Sequence, residues 1–123
     1  MRLIFGSCLA VLIGMLTAFA QDPARACFLF GPAYQLASDT VQWSMTIGQG
    51  QSCIRGVKSA LATLDQVQLI VPPKSGQVAI EGPGFIYKTS TDFVGKDSFS
   101  LSVKGKIANI TGTSTILVLV SVR

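Results

Sequence analysis

The stretch from Pro72 to Val103, PPKSGQVAIEGPGFIYKTSTDFVGKDSFSLSV, constrains this chain more than any other, because short apolar alternations there are cut by Pro72-Pro73, Gly82-Pro83-Gly84 and Val94-Gly95. Val78 and Ile80, then Phe85 and Tyr87, then Phe99, Leu101 and Val103 recur with the period of a strand that buries one face. The turns between these runs are too short to hold a helix. An all-β fold follows, since paired strands are the element that period-two patterning stabilises.

The rest of the chain continues the pattern. Gln21 to Pro32 is an irregular lead-in that carries Cys27, and Tyr34-Gln35-Leu36 is expected to begin a first, short strand. Val41, Trp43, Met45 and Ile47 alternate with Gln42, Ser44 and Thr46, and after the Gly48-Gln49-Gly50 turn Ser52 to Val57 returns with Cys53 in it. Lys58 to Asp65 tolerates a helical turn but is too short and too weakly amphipathic for a helix. Val67 to Val71 is the next strand, ended by two prolines that cannot extend a ladder. Strands are then expected at Gln77 to Glu81, Phe85 to Lys88 and Asp97 to Val103, with loops at Thr89 to Lys96 and Lys104 to Gly112. Thr113 to Val122 closes the chain and is apolar on both faces at its centre, which suits a strand buried in a sandwich or, alternatively, a sticky edge. About seven short strands at regular spacing predict a two-sheet β-sandwich.

Ahead of this domain, Arg2, the apolar run Leu9 to Leu16 and the small-x-small sequence Ala18-Phe19-Ala20 have the layout of a cleavable signal peptide, residues 1–20, leaving a single domain at 21–123. The apolar run is shorter than the roughly 20 residues that span a bilayer. A retained anchor is the alternative. Cys8 precedes the apolar run instead of ending it, which argues against a lipid-modified cysteine. Loss of Cys8 leaves Cys27 and Cys53, and in an oxidising compartment one intrachain disulfide is expected; two free thiols or an intermolecular pair are the alternatives.

The formal charge of +4 becomes +3 without Arg2, and the basic residues are scattered instead of interleaved with aromatics, so no nucleic-acid surface is expected. The chain contains no histidine, which removes the usual nucleophilic triads and the commonest acid–base group at neutral pH. Asp92 and Asp97 with Glu81 invite comparison with a glycosidase pair or a calcium site, but the six acids are dispersed, and Asp97 beside Gly95 suits a turn carboxylate that accepts backbone N–H groups. No catalytic residue, metal or cofactor is assigned. The sequon Asn109-Ile110-Thr111 is read as coincidence. Trp43 lies in an alternating apolar face and is expected in the core instead of on a sugar.

Ser75-Gly76-Gln77-Val78, Gly84-Phe85-Ile86-Tyr87, Phe93-x-Gly95-x-Asp97-Ser98-Phe99 and the closing Thr/Val-rich strand together resemble the repeat of bacterial cadherin-like, immunoglobulin-like domains, over roughly the last half of the chain. The resemblance implies an immunoglobulin-like sandwich in which Phe85, Tyr87, Phe93, Gly95, Asp97 and Phe99 are core or turn residues, and a role in adhesion or extracellular architecture. The chain carries one copy and lacks the acidic linker motifs with which cadherin-like repeats hold calcium. By analogy with immunoglobulin domains, Trp43 is expected near a Cys27–Cys53 bridge.

The functional expectation is a periplasmic or secreted, non-enzymatic binding or structural module whose partner is a protein or an envelope polymer. One alternative is a regulator of an envelope enzyme that presents the Pro72 to Gly76 loop, with Pro73, Lys74 and Ser75 at its tip. Another is self-association by strand addition at a sheet edge, with Thr113 to Val122 as donor or edge.

Overall fold

The computed structural model describes residues 27–123, so the expected signal peptide, residues 1–20, lies outside the described residues. Eight strands follow in order: β1 (Cys27–Phe30), β2 (Asp39–Ile47), β3 (Ser52–Gly56), β4 (Ala62–Val71), β5 (Gly76–Glu81), β6 (Gly84–Thr89), β7 (Gly95–Ile107) and β8 (Ile110–Val122). They form a five-stranded sheet, β1-β2-β8-β7-β4, and a three-stranded sheet, β3-β6-β5. Neighbours pair antiparallel except β2 and β8, which run parallel from Asp39↔Ser114 to Ile47↔Val122. Among the described residues no helix is long and apolar enough to cross a membrane.

The core lies between the sheets and is built from the alternating positions. Phe85 and Tyr87 of β6, and Phe99, Leu101 and Val103 of β7, are almost wholly buried. The Phe99 ring meets Phe85 edge-on at 5.3 Å and stacks on Tyr87 at 5.7 Å, so three aromatics join the two sheets. Ile116, Val118, Val120 and Val122 of β8 face the same interior. Val41 and Trp43 pack against this core only partly buried, and Phe93 does the same from the loop before β7.

Cys27 and Cys53 form a disulfide with a Cα separation of 5.7 Å, and it joins edge strand β1 to β3 of the opposite sheet. The register sets Trp43 apart from the bridge. Cys27 lies opposite Ile47, four residues along β2 from Trp43, a run of about 13 Å at the usual strand rise. The indole N–H instead donates to the Pro32 carbonyl at 2.8 Å.

Several local expectations need correction. Cys27 sits in a short strand and not in an irregular lead-in. Tyr34 to Leu36 is irregular, with Leu36 and Ser38 at positive φ of 53° and 59°. Side chains hold that segment in place of a ladder: Asp39 accepts the Gln35 and Ala37 N–H groups, and buried Tyr34 donates its hydroxyl to the Val57 carbonyl at 2.7 Å. Strand β4 begins at Ala62, taking in half of the expected turn. The expected Lys104 to Gly112 loop is instead the end of a long hairpin, in which Ile107 pairs with Ile110 around Ala108 and Asn109, both at positive φ. A two-residue turn of that handedness matches the twist of the strands it joins. Gly112 next to it has to be glycine, because a Cβ there would collide with the Leu36 carbonyl. Finally, β8 is a central strand, paired on both sides, so Thr113 to Val122 is neither an edge nor a free donor.

Candidate functional site

The chain folds Pro72 to Gly76 into the crossover from β4, in one sheet, to β5, in the other. Pro72 and Pro73 end β4 and limit the backbone, so the residues after them emerge in a narrow range of directions. Gly95, at φ 142°, opens β7 in a conformation that favours glycine, and two residues later Asp97 turns inward from the strand.

The Asp97 carboxylate is the centre of the site. One oxygen accepts the Lys74 N–H at 3.0 Å and the Ser98 N–H at 2.9 Å. The other accepts the Ser75 N–H at 3.2 Å and the Tyr87 hydroxyl at 2.8 Å. A single side chain on the larger sheet therefore holds the crossover loop and the aromatic strand of the smaller sheet together. Burial first, and then the hydrogen bond and charge of Asp97, push the Tyr87 hydroxyl well above its usual range, so it stays a neutral donor to the carboxylate. Ser90 adds a bond from its hydroxyl to the Ser75 carbonyl at 3.3 Å.

This arrangement fixes the loop backbone while the Lys74 side chain remains exposed. Lys74, Ser75, Gln77, Lys88 and Ser90 line a shallow groove of about 370 Å³ at the same place. Two ammonium groups, on Lys74 and Lys88, and the hydroxyls of Ser75, Thr89 and Ser90 make that groove rich in hydrogen-bond donors. Pro73, Lys74, Ser75, Tyr87 and Asp97 are thus brought together, with Phe99 beneath Tyr87. Trp43 and the disulfide belong to β1, β2 and β3, at a different part of the sandwich. Among the described residues, no three of His, Cys, Asp and Glu gather closely enough to hold a metal ion.

That Asp97 accepts backbone N–H groups is readable from its neighbourhood to Gly95, although it does so from strand β7 and not from a turn. Its long-range partners are not, because the resemblance that takes in Ser75, Tyr87 and Asp97 assigns no contact among them, and Lys74 lies 23 and Tyr87 10 residues away. A second carboxylate hub also carries no sequence signal: Asp39 accepts from Gln35, Ala37 and the Ser114 hydroxyl, and the Ser114 oxygen in turn accepts the Leu36 N–H at 2.9 Å. The Arg55 guanidinium donates to the Cys27 carbonyl and so covers the outer edge of β1.

No protein-family model matches the chain, and no curated protein matches it.

Proposed function

We propose that the chain is an exported, non-enzymatic, immunoglobulin-like binding module of the bacterial envelope or exterior, and that it engages a protein partner through the Asp97-braced loop Pro73-Lys74-Ser75. The observation that carries this reading is the brace itself. Two of the four hydrogen bonds to one carboxylate hold the loop amides of Lys74 and Ser75, and the other two anchor that carboxylate to Tyr87 and Ser98, so the loop is ordered before any partner arrives, which lowers the entropic cost of binding. The sheet order supports the immunoglobulin-like reading: β3-β6-β5 and β8-β7-β4 correspond to the B-E-D and G-F-C groupings of that fold. The disulfide supports an oxidising compartment. A second reading, a regulator of an envelope enzyme, rests on the same brace, since a rigid exposed loop suits insertion into a cleft.

The test is crosslinking of the tagged protein in its native envelope, followed by mass spectrometry of what co-purifies under stringent washing. One stoichiometric protein partner is expected, lost in Lys74→Ala with the melting temperature unchanged. If that partner is an enzyme, its activity with and without the module separates regulation from simple binding. Capture that ignores Lys74, or a catalytic activity of the module itself that is abolished by point substitution, overturns the proposal.

A further inference from the structure

The outward face of the five-stranded sheet carries an unusual row. Strand β7 directs Lys96, Ser98, Ser100, Ser102 and Lys104 to this side, with Ser100 itself buried, so two cations flank the hydroxyls of Ser98 and Ser102, while Asp97 points to the other side. The register sets β8 and β2 alongside: Lys96 faces Ser121, which faces Thr46, and Ser98 faces Leu119, which faces Ser44. None of the outward positions of these three strands, at alternate residues 40–46, 96–104 and 113–121, is acidic. Lys96 donates to the Ser121 hydroxyl at 3.0 Å. A shallow groove of about 530 Å³ runs over Ser44, Thr46, Lys96, Leu119, Ser121 and Arg123; Asp97 also lines it, its carboxylate turned to Lys74, Ser75 and Tyr87.

Strand β1 adds two phenyl rings at the rim. Phe28 is opposite Thr46 and Phe30 opposite Ser44, and they are 76 % and 68 % exposed, although either would gain by burial. They stand on one face of one strand, at alternate positions, beside the hydroxyl-lined groove.

We infer that this face binds an acidic polysaccharide of the polyuronate class, with Phe28 and Phe30 stacking on sugar faces, Ser44, Thr46 and Ser121 pairing with sugar hydroxyls, and Lys96 meeting a carboxylate. The chemistry selects this occupant. Strands β2, β8 and β7 are paired on both sides, so their backbone groups are used and cannot extend a ladder to a peptide. Recognition falls to hydroxyls, ammonium groups and exposed rings, and these complement a ligand that offers hydroxyls, apolar C–H faces and negative charge together. The excess of cations over acids on the face gives the charge complementarity. Asp97 touches both this groove and the Pro73-Lys74-Ser75 loop, but no loop residue lines the groove, so Lys74 variants and Phe28, Phe30 and Lys96 variants test the two proposals independently.

Affinity electrophoresis and calorimetry of the disulfide-intact protein with polygalacturonate test it, with neutral dextran, dextran sulfate and polyglutamate as comparisons. Retardation by polygalacturonate is expected, weakened at least tenfold by Phe28→Ser/Phe30→Ser and by Lys96→Gln, and unchanged by Lys74→Ala. Thermal melting of each variant verifies that it is folded. Equal binding to dextran sulfate or polyglutamate would reduce the interaction to net charge and overturn the inference. So would binding indifferent to the phenylalanines, no binding of polygalacturonate at all, or concentration-dependent dimers that depend on Phe28 and Phe30 and exclude the glycan.

Discussion

Asp39 carries a depressed pKa, and its consequence is confined to acid. The Ser114 hydroxyl and the Ala37 and Gln35 N–H groups favour its charged form and lower its pKa from 3.8 to about 2, against a smaller opposing effect of burial. A carboxylate whose folded pKa is lowered stabilises the fold fully above its unfolded pKa, and that contribution fades as pH falls from about 4 toward 2. Since Asp39 is partly exposed, solvent screening reduces the contribution to about 1 kcal/mol. Asp39→Asn is therefore expected to lower stability by about that amount at pH 7 and by much less as pH falls through 2, as read from urea unfolding at pH 7 and below pH 2. At the same scale, nothing in the sequence marks Asp39 as a hub or shows that the Ser114 hydroxyl donates to it. Local chemistry is readable where partners are neighbours, and it is lost where the partner lies 75 residues along the chain.

Among the elements, the β4–β5 crossover behaves as one unit with Asp97. Asp97→Ala leaves the Tyr87 hydroxyl, in a fully buried residue, without its acceptor and frees two loop amides. A loss of about 2 kcal/mol is expected from the stranded hydroxyl. Amide exchange at Lys74 and Ser75 should accelerate at least tenfold, which mass spectrometry of the exchanged loop peptide measures. Tyr87→Phe removes the same hydroxyl, so the double variant should cost less than the sum of the two single ones; additive losses would contradict the shared bond. Element by element, strands were legible where an apolar face alternates, as in β2, β5, β6 and the centre of β7. They were missed where polar residues continue a ladder, as at Lys104 to Lys106, because pairing to β4 and β8 supports those residues without patterning. The Ala108-Asn109 turn gave no warning, since alanine seldom takes positive φ. Tyr34 to Leu36 read as the start of a strand, but Tyr34 and Leu36 are buried from an irregular backbone held by side chains.

At the scale of the molecule, the disulfide closes a separation of 26 residues and links the two sheets. The chain-entropy model gives such a bridge about 3.5 kcal/mol, a large share of a stability of roughly 5–15 kcal/mol. Cys27→Ala/Cys53→Ala should lower the denaturation free energy by about that much, and a reductant should bring the parent protein to the same transition midpoint while leaving the variant unmoved. Two sheets around one core were legible from strand number and spacing, whereas the assignment of strands to sheets was not, because composition does not distinguish a central strand from an edge. The apolar Thr113 to Val122 run illustrates it: both of its faces are hydrophobic, and only its neighbours make it interior.

The parallel pairing of β2 with β8 also sets a timetable. Each residue of β2 waits for a mate 75 positions later, from Asp39 with Ser114 to Ile47 with Val122. Until that mate is available, one long side of β2 has no ladder, and the five-stranded sheet cannot be assembled from its front end alone. Closure at such distance is slow, of the order of milliseconds to seconds for β-sandwiches. The β1–β2 pair therefore joins the rest of the larger sheet only through β8, whereas β3, β5 and β6, and β4 with β7, can pair without it.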